Sequence, residues 1–265
     1  MDVSFKSQIS AFIICKNEMD VIGRCIESLK GCREIVIVDS GSTDATRDVV
    51  GRYEAQGYPI RFIEHRWEGY AKQKQFALDQ TAGPWCLSLD ADERLDERTS
   101  KTLMETDLDA LGAVGLRIRR RDYLPGFGYP PRQVHAHWLL RLVRKDRAHF
   151  DTSALVHEAI HCDGPVAKFT GGEMFHMRAL TAEQEAQKMD EYSSLKALEK
   201  FARGRRTSFG RLMFAPLLGF LKVYVMQRYL LCGKAGFIYA SFAAHYSFLT
   251  ETKLYRLSLG EPQDL

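Results

Sequence analysis

The first 95 residues switch repeatedly between two periodicities, and that alternation limits the folds open to the chain. Ile9–Cys15, Glu34–Val38, Tyr58–Glu64 and Trp85–Leu89 are apolar runs of strand length. Between the first two, Val21, Ile22, Cys25, Ile26 and Leu29 recur at helical spacing. A second helix is predicted to open over Ser42–Arg47, with Ser42 or Thr43 as its N-cap, and a third over Gly69–Gln80. Repeated strand–helix order builds an α/β fold: a Rossmann-like, mainly parallel sheet with helices on both faces. Ligands of such sheets bind beyond the carboxyl ends of the strands. The residues that close each run are therefore the functional candidates.

Those residues are polar and acidic. Asn17 and Glu18 follow the first run, and Asp39-Ser40-Gly41-Ser42-Thr43-Asp44 follows the second. Asp39 and Glu18 are placed to contact a ribose or base, while Ser40, Ser42 and Asp44 shape the loop; Gly41 permits a tight turn. The fourth run ends in Asp90-Ala91-Asp92-Glu93. Two hard oxygen ligands at a strand end suit Mg²⁺ or Mn²⁺, which commonly arrives bridged to a diphosphate. A solvated acidic turn is the alternative. Lys72 and Lys74 sit on the helix before this strand, where a cation meets a diphosphate or simply faces solvent.

Taken in order, Ile13-Ile14-Cys15-Lys16-Asn17-Glu18, Val36 to Thr46 and Leu89-Asp90-Ala91-Asp92-Glu93 resemble the family 2 inverting glycosyltransferases of GT-A fold. That resemblance covers about the first hundred residues. Beyond them, Arg141-Leu142-Val143-Arg144, Val156-His157-Glu158, His176 and the segment Tyr229–Phe237 resemble the bacterial lipopolysaccharide-core β-glycosyltransferase branch. The resemblance implies metal-dependent transfer of a sugar from a nucleotide-diphospho-sugar donor. The acceptor it implies is a saccharide, such as a lipopolysaccharide core or another lipid-linked glycan. It implies that Asp92, Asp90 and His176 hold Mg²⁺ or Mn²⁺, and that Glu158 takes the proton from the attacking hydroxyl. Glu158 paired with a nearby arginine, and His176 in the core, are the competing readings. The basic, aromatic, Gly/Pro-rich stretch 117–131 is read as an irregular acceptor loop, with Arg121, Tyr123 and Arg141 as acceptor contacts.

A second pattern leads elsewhere. His157-Glu158-Ala159-Ile160-His161 fits H-E-x-x-H, which on a helix holds zinc and a general base. The extended form asks for a histidine at 167, where this chain has Ala167. The flanks are also short for the long helix such enzymes use. A zinc hydrolase and a non-catalytic nucleotide- or membrane-binding module stand as alternatives.

Six cysteines form no CxxC pair and several lie inside apolar runs, as buried thiols of a cytoplasmic protein would. The N-terminus lacks a basic stretch followed by an apolar core, so no secretory signal is expected. A net charge of only +3 gives no general case for nucleic acid. Charge is concentrated late instead: Lys196 to Lys234 holds nine Lys or Arg against Glu199 alone. Within it, Leu212–Leu221 is apolar but shorter than the roughly 20 residues of a bilayer span. Apolar faces with basic flanks suit an anionic membrane surface; a helix pair packed on the rest of the chain is the alternative. The expected plan is a GT-A catalytic domain over 1–180, with a nucleotide-sugar half to about 95 and an acceptor half over 96–180. A helical extension over 181–265 follows, and the protein is expected at the inner face of the cytoplasmic membrane.

Overall fold

The computed structural model describes residues 7–152, 159–177 and 181–260. They form two compact units: Met1–Arg121 with His137–Met177, and Asp122–Ala136 with Arg178–Leu265. The segment 122–136, which the sequence plan put in the catalytic domain, thus groups with the C-terminal helices.

The first unit opens β1 (Ile9–Cys15), α1 (Ile22–Ser28), β2 (Glu34–Asp39), α2 (Thr46–Ala55), β3 (Ile60–Glu64), α3 (Tyr70–Gln80) and β4 (Trp85–Asp90). β5 (Glu93–Leu95), α4 (Glu97–Glu105), β6 (Gly115–Asp122), β7 (His137–Arg144), β8 (Ala148–Phe150), β9 (Ile160–Cys162) and β10 (Val166–His176) complete it. Eight strands make one sheet in the order β3-β2-β1-β4-β7-β6-β10-β5, while β8 and β9 pair separately. β3, β2, β1 and β4 run parallel. β7 then joins β4 antiparallel.

β1, β2 and β4 are almost wholly buried because both faces of this parallel part of the sheet are covered. Along β1, Ile9, Ala11, Ile13 and Cys15 face a core that includes Ile22, Cys25 and Ile26 of α1 and Val49 and Val50 of α2. Phe12, between them, faces the opposite core with Ala77 and Leu78 of α3 and Phe150 and Ile160. No two cysteines are bonded to each other.

Three local expectations change. α2 begins at Thr46 rather than near Ser42, because Ser42 and Thr43 are already bonded to Asp39 and Asn17. The stretch 117–122 is not loop but the last six residues of β6: Leu116 and Ile118 are buried and the alternate Arg117 is exposed. That alternation is the period of a strand. Finally, Ile160–Cys162 is a strand paired with β8, His161 opposite His149. A helix carrying both histidines of H-E-x-x-H on one face therefore cannot run through His161, and the zinc-hydrolase geometry is lost. His157 and Glu158 lie outside the described residues.

In the second unit, α5 (Ala182–Ala202), α6 (Phe209–Leu221) and α7 (Gly233–Ser258) pack together, α7 against both others. α5 starts on a capping box, with Thr181 and Gln184 exchanging bonds. A π-helical turn, Lys222–Met226, prolongs α6. The helical stretch Phe209–Met226 is thus 18 residues, and the only one among the described residues long and apolar enough to cross a membrane. The shorter apolar run seen in the sequence understates it.

Gly172 on β10 marks the tightest packing around the N-terminus of α4. A Cβ there would lie 1.9 Å from Thr99 Oγ1, 2.8 Å from Asp96 Oδ1 and 2.9 Å from the Thr99 nitrogen. Asp96 caps α4 by accepting the Thr99 N–H, and Thr99 Oγ1 donates to the Glu173 carbonyl at 3.0 Å. Gly172→Ala should therefore push α4 off the sheet and cost about 1–3 kcal/mol. Urea unfolding should show a lower midpoint with the slope unchanged.

Candidate active site

The carboxyl ends of β2, β1 and β4 lie side by side, with Cys15 opposite Asp39 and Ile14 opposite Asp90. Two connected loops close β1 and β2. Asn17 takes the left-handed conformation (φ 56°), one that asparagine tolerates better than most residues. Its N–H donates to Ser42 Oγ at 2.9 Å, and its Oδ1 accepts the Thr43 N–H at 2.7 Å. The Glu18 N–H donates to Thr46 Oγ1 at 2.9 Å, which ties the end of the β1 loop to the start of α2. Asp44 accepts from the Met19 and Thr46 N–H groups. Slight burial opposes its charge, but the Thr46 bonds outweigh that and lower its pKa.

Asp39 is buried and holds this loop from beneath. Oδ2 accepts the N–H groups of Gly41 and Ser42 at 3.0 and 2.8 Å, and Oδ1 accepts the Ser42 hydroxyl. Gly41 has φ 85°, so the turn depends on glycine. Ser40 Oγ accepts from Gln73 Nε2 on α3 at 3.1 Å. Gln73, fully buried, was missed in the sequence.

Of the two lysines on α3, only Lys74 reaches the strand ends. It is buried, 2.9 Å from Asp90 Oδ1, while Lys72 is exposed on the helix surface. Arg141 Nη2 lies 2.8 Å from Asp90 Oδ2 and 2.6 Å from Glu93 Oε1. Glu93 is fully buried and takes a second cation, Arg120, at 3.2 Å. Burial works against the charge on Asp90, but Arg141 and Lys74 outweigh it and hold its carboxyl well below the usual range. Arg141 is held protonated in turn: burial opposes its charge, and Asp90 and Glu93 overcome that. Arg141, expected as an acceptor contact, is engaged with carboxylates of its own chain. It is buried under Asp90 with both carboxylates as partners. Arg121 pairs with Glu173 at 2.5 Å and stands over the Phe175 ring. Tyr123 belongs to the second unit, edge-on to Tyr129.

Asp92 and His176 come together. β10 pairs antiparallel with β5, His176 opposite Glu93, and the Met177 N–H donates to the Asp92 carbonyl at 2.9 Å. This register leaves His176 Nε2 3.1 Å from Asp92 Oδ2. Both are partly exposed, and Asp92 lines a small cleft with Val21, Arg24, Arg94 and Met177. The carboxylate oxygen suits Mg²⁺ or Mn²⁺, and the imidazole nitrogen beside it is a softer donor that Mn²⁺ accepts more readily than Mg²⁺. Among the described residues no third His, Cys, Asp or Glu completes such a group. Oxygens from a ligand would fill the remaining positions, which is how Mg²⁺ is commonly held.

The Glycosyl transferase family 2 profile matches residues 10–164, more than half of the chain. The chain belongs to glycosyl transferase family 2. It is similar to the lipopolysaccharide core biosynthesis glycosyltransferase LpsC of Rhizobium meliloti, 45% identical over 251 residues, 95% of this chain and 93% of that protein. Among solved structures, S. aureus TarS 1–349 in complex with UDP-GlcNAc aligns with TM-score 0.52 at 16% identity, covering 96% and 92% of the two chains. The mannosyltransferase PcManGT of Pyrobaculum calidifontis, in complex with GDP-Man and Mn²⁺, aligns with TM-score 0.52 at 14% identity, covering 97% and 80%. These two likenesses carry the fold: the GT-A arrangement expected from the sequence. As a family 2 member the chain is a glycosyltransferase.

Arg141→Met would leave two carboxylates beside Lys74 and Arg120 without their shared cation. Breaking such a buried pair costs about 3–5 kcal/mol at neutral pH. The sign with pH follows from the lowered pKa of Asp90. In the native protein its contribution is present above the ordinary carboxylate range and is lost only as pH falls through the depressed value. In the variant Asp90 loses the cation that most lowers its pKa and takes up a proton at higher pH. The stability gap between the two proteins, measured by urea unfolding, should therefore narrow from about pH 7 to about pH 4. A gap that stays constant would mean Arg141 acts through packing alone.

Proposed function

We propose that this glycosyltransferase moves a sugar from a nucleotide-diphospho-sugar to a lipid-linked saccharide, with inversion at the anomeric carbon. The observation that carries this reading is the Asp92–His176 pair, set at the end of β4 beside the loops that close β1 and β2. The nucleotide lies over those loops. Asn17, Ser42 and Asp44 bond one another or the adjoining backbone and fix the surface, while Glu18 and Asp39 lie nearest the base and ribose. Lys74 and Arg141 set Asp90 beside the diphosphate.

Asp92 and His176 would hold Mg²⁺ or Mn²⁺. When bound, the metal supplies charge neutralisation for the departing diphosphate. Glu158, outside the described residues, serves as general base. An acceptor hydroxyl attacks C1 of the donor sugar from the face opposite the diphosphate. The new C1–O bond forms as the C1–O bond to the diphosphate breaks, and the hydroxyl proton passes to Glu158. The similarity to LpsC supports a lipopolysaccharide core as acceptor class. Such an acceptor places the protein peripherally, at the inner face of the cytoplasmic membrane.

Release of nucleoside diphosphate from a panel of nucleotide sugars, with and without EDTA, tests the reading. Asp92→Ala should abolish release with the fold intact, because it deletes a partly exposed ligand and no core group. Full activity of that variant in EDTA would overturn the metal assignment. Glu158→Gln should lower transfer at least ~100-fold while donor binding stays close to wild type. Unchanged transfer would remove Glu158 as the base.

A further inference from the structure

The second unit leaves an apolar face uncovered. Phe209, Met213, Leu217, Leu221 and Val225 recur every four residues along α6 and its π-turn, with Phe214 and Leu218 beside them, and all are exposed. Phe209 and Met226, at the two ends of the stretch, are 78% and 77% exposed. Phe237 and Ile238 add to the exposed apolar surface from α7. Monomers in water rarely expose so large a contiguous apolar area.

Its borders are basic. Arg203, Arg205, Arg206 and Arg211 lie at the start of α6, and Lys222, Arg228 and Lys234 at its far end. Glu199 pairs with Lys196 and Arg203, and Glu251 with Lys200. Arg206 and Arg211 donate instead to backbone carbonyls, and Arg211 acts on Glu251 only through space. Arg211 and Lys222 are eleven residues apart, about three turns, and both are exposed along one edge of the helix.

We infer that α6 lies flat in the headgroup region of an anionic bilayer, its apolar face toward the acyl chains and its basic edge among the lipid phosphates. The inference deepens the proposed function by naming the surface on which the lipid-linked acceptor is met. Length alone does not decide, because eighteen residues make about 27 Å of helix, at the short end of what spans a bilayer. Three features favour lying over spanning. The opposite face of α6 is taken by α7: a Cβ on Gly219 would lie 2.6 Å from Ser247 Oγ, so the helices approach closely there. α7 cannot follow α6 across, since its Glu251 and Lys253 are bonded to Lys200 and Asp190 of α5. Spanning would also carry Arg228 and Lys234 through the bilayer, whereas lying flat leaves every cation at the phosphates.

Vesicle co-sedimentation of the full-length protein, without donor, tests this. Binding to phosphatidylglycerol/phosphatidylcholine vesicles should weaken as salt is raised, and binding to pure phosphatidylcholine should be far weaker. Leu217→Glu/Leu218→Glu should lower the partition coefficient at least ~10-fold. Both side chains are exposed, so circular dichroism and diphosphate release in solution should match wild type. Phe209→Trp, Leu217→Trp and Met226→Trp, each read against wild type with brominated lipids, report depth. Equal quenching of all three fits a helix lying flat. A central reporter much deeper than the two ends would overturn it in favour of a span. No binding at any salt would also overturn it, and a lipid-independent dimer lost in the glutamate variant would assign the face to a second copy of the chain. Diphosphate release reports separately on the catalytic reading, so either can fail alone.

Discussion

Glu93 has no contact with solvent, and a carboxylate there is tolerable only because Arg141 and Arg120 reach it. The end of β4 depends on this buried charge cluster. Arg141 spans from Glu93 to Asp90, and Lys74 takes the other oxygen of Asp90. Three structural layers are thereby fixed to one point: α3 through Lys74, β7 through Arg141, and the turn after β4 through Glu93, whose Oε2 accepts the Asp90 N–H at 3.2 Å. An apolar cluster of the same volume would be comparably stable. What ions add is direction, because each carboxylate oxygen has an assigned partner and the turn cannot rotate without losing one.

The consequence is a division of labour between two aspartates one residue apart. Asp90 has both oxygens committed to protein cations. Asp92, one step further on, meets only an imidazole among the described residues and faces a cleft. A group that must exchange partners during a reaction is better placed second, since the first has already satisfied the fold. The β2 loop is built in a similar way: Asp39 commits its oxygens to the N–H groups of Gly41 and Ser42 and to the Ser42 hydroxyl, and so shapes the loop from beneath.

The parallel half of the sheet was legible because its two periodicities are strong and its strands end on recognisable polar residues. Asp92 and His176 were legible as types, but their meeting depends on the β5–β10 register, which no local pattern encodes. The partners of Arg141 were hidden for a related reason. An arginine flanked by apolar residues signals a buried strand position, but its partners lie 51 and 48 residues away. Lys74 and Lys72 were separable in principle: Ala71, Lys74 and Leu78 share one buried face of α3 and Lys72 does not. Stretch 117–122 was read as loop because its arginines hid the alternation of Leu116 and Ile118, both buried in β6.

Cations serve two different purposes in the two units. In the first they are matched to carboxylates within hydrogen-bond distance, and that matching makes the strand ends rigid. The second holds such pairs too, at Lys196, Lys200, Arg203 and Lys253, but there Arg206 and Arg211 meet backbone carbonyls, and the apolar residues between the basic ends of α6 stay exposed. A sequence can produce the first pattern only if acids are spaced to meet the bases in the fold. It produces the second by omitting them, as Lys196 to Lys234 does with Glu199 its one acid. Omission of this kind leaves charge and apolar surface for something outside the chain to satisfy, and a lipid surface is one medium that satisfies both together.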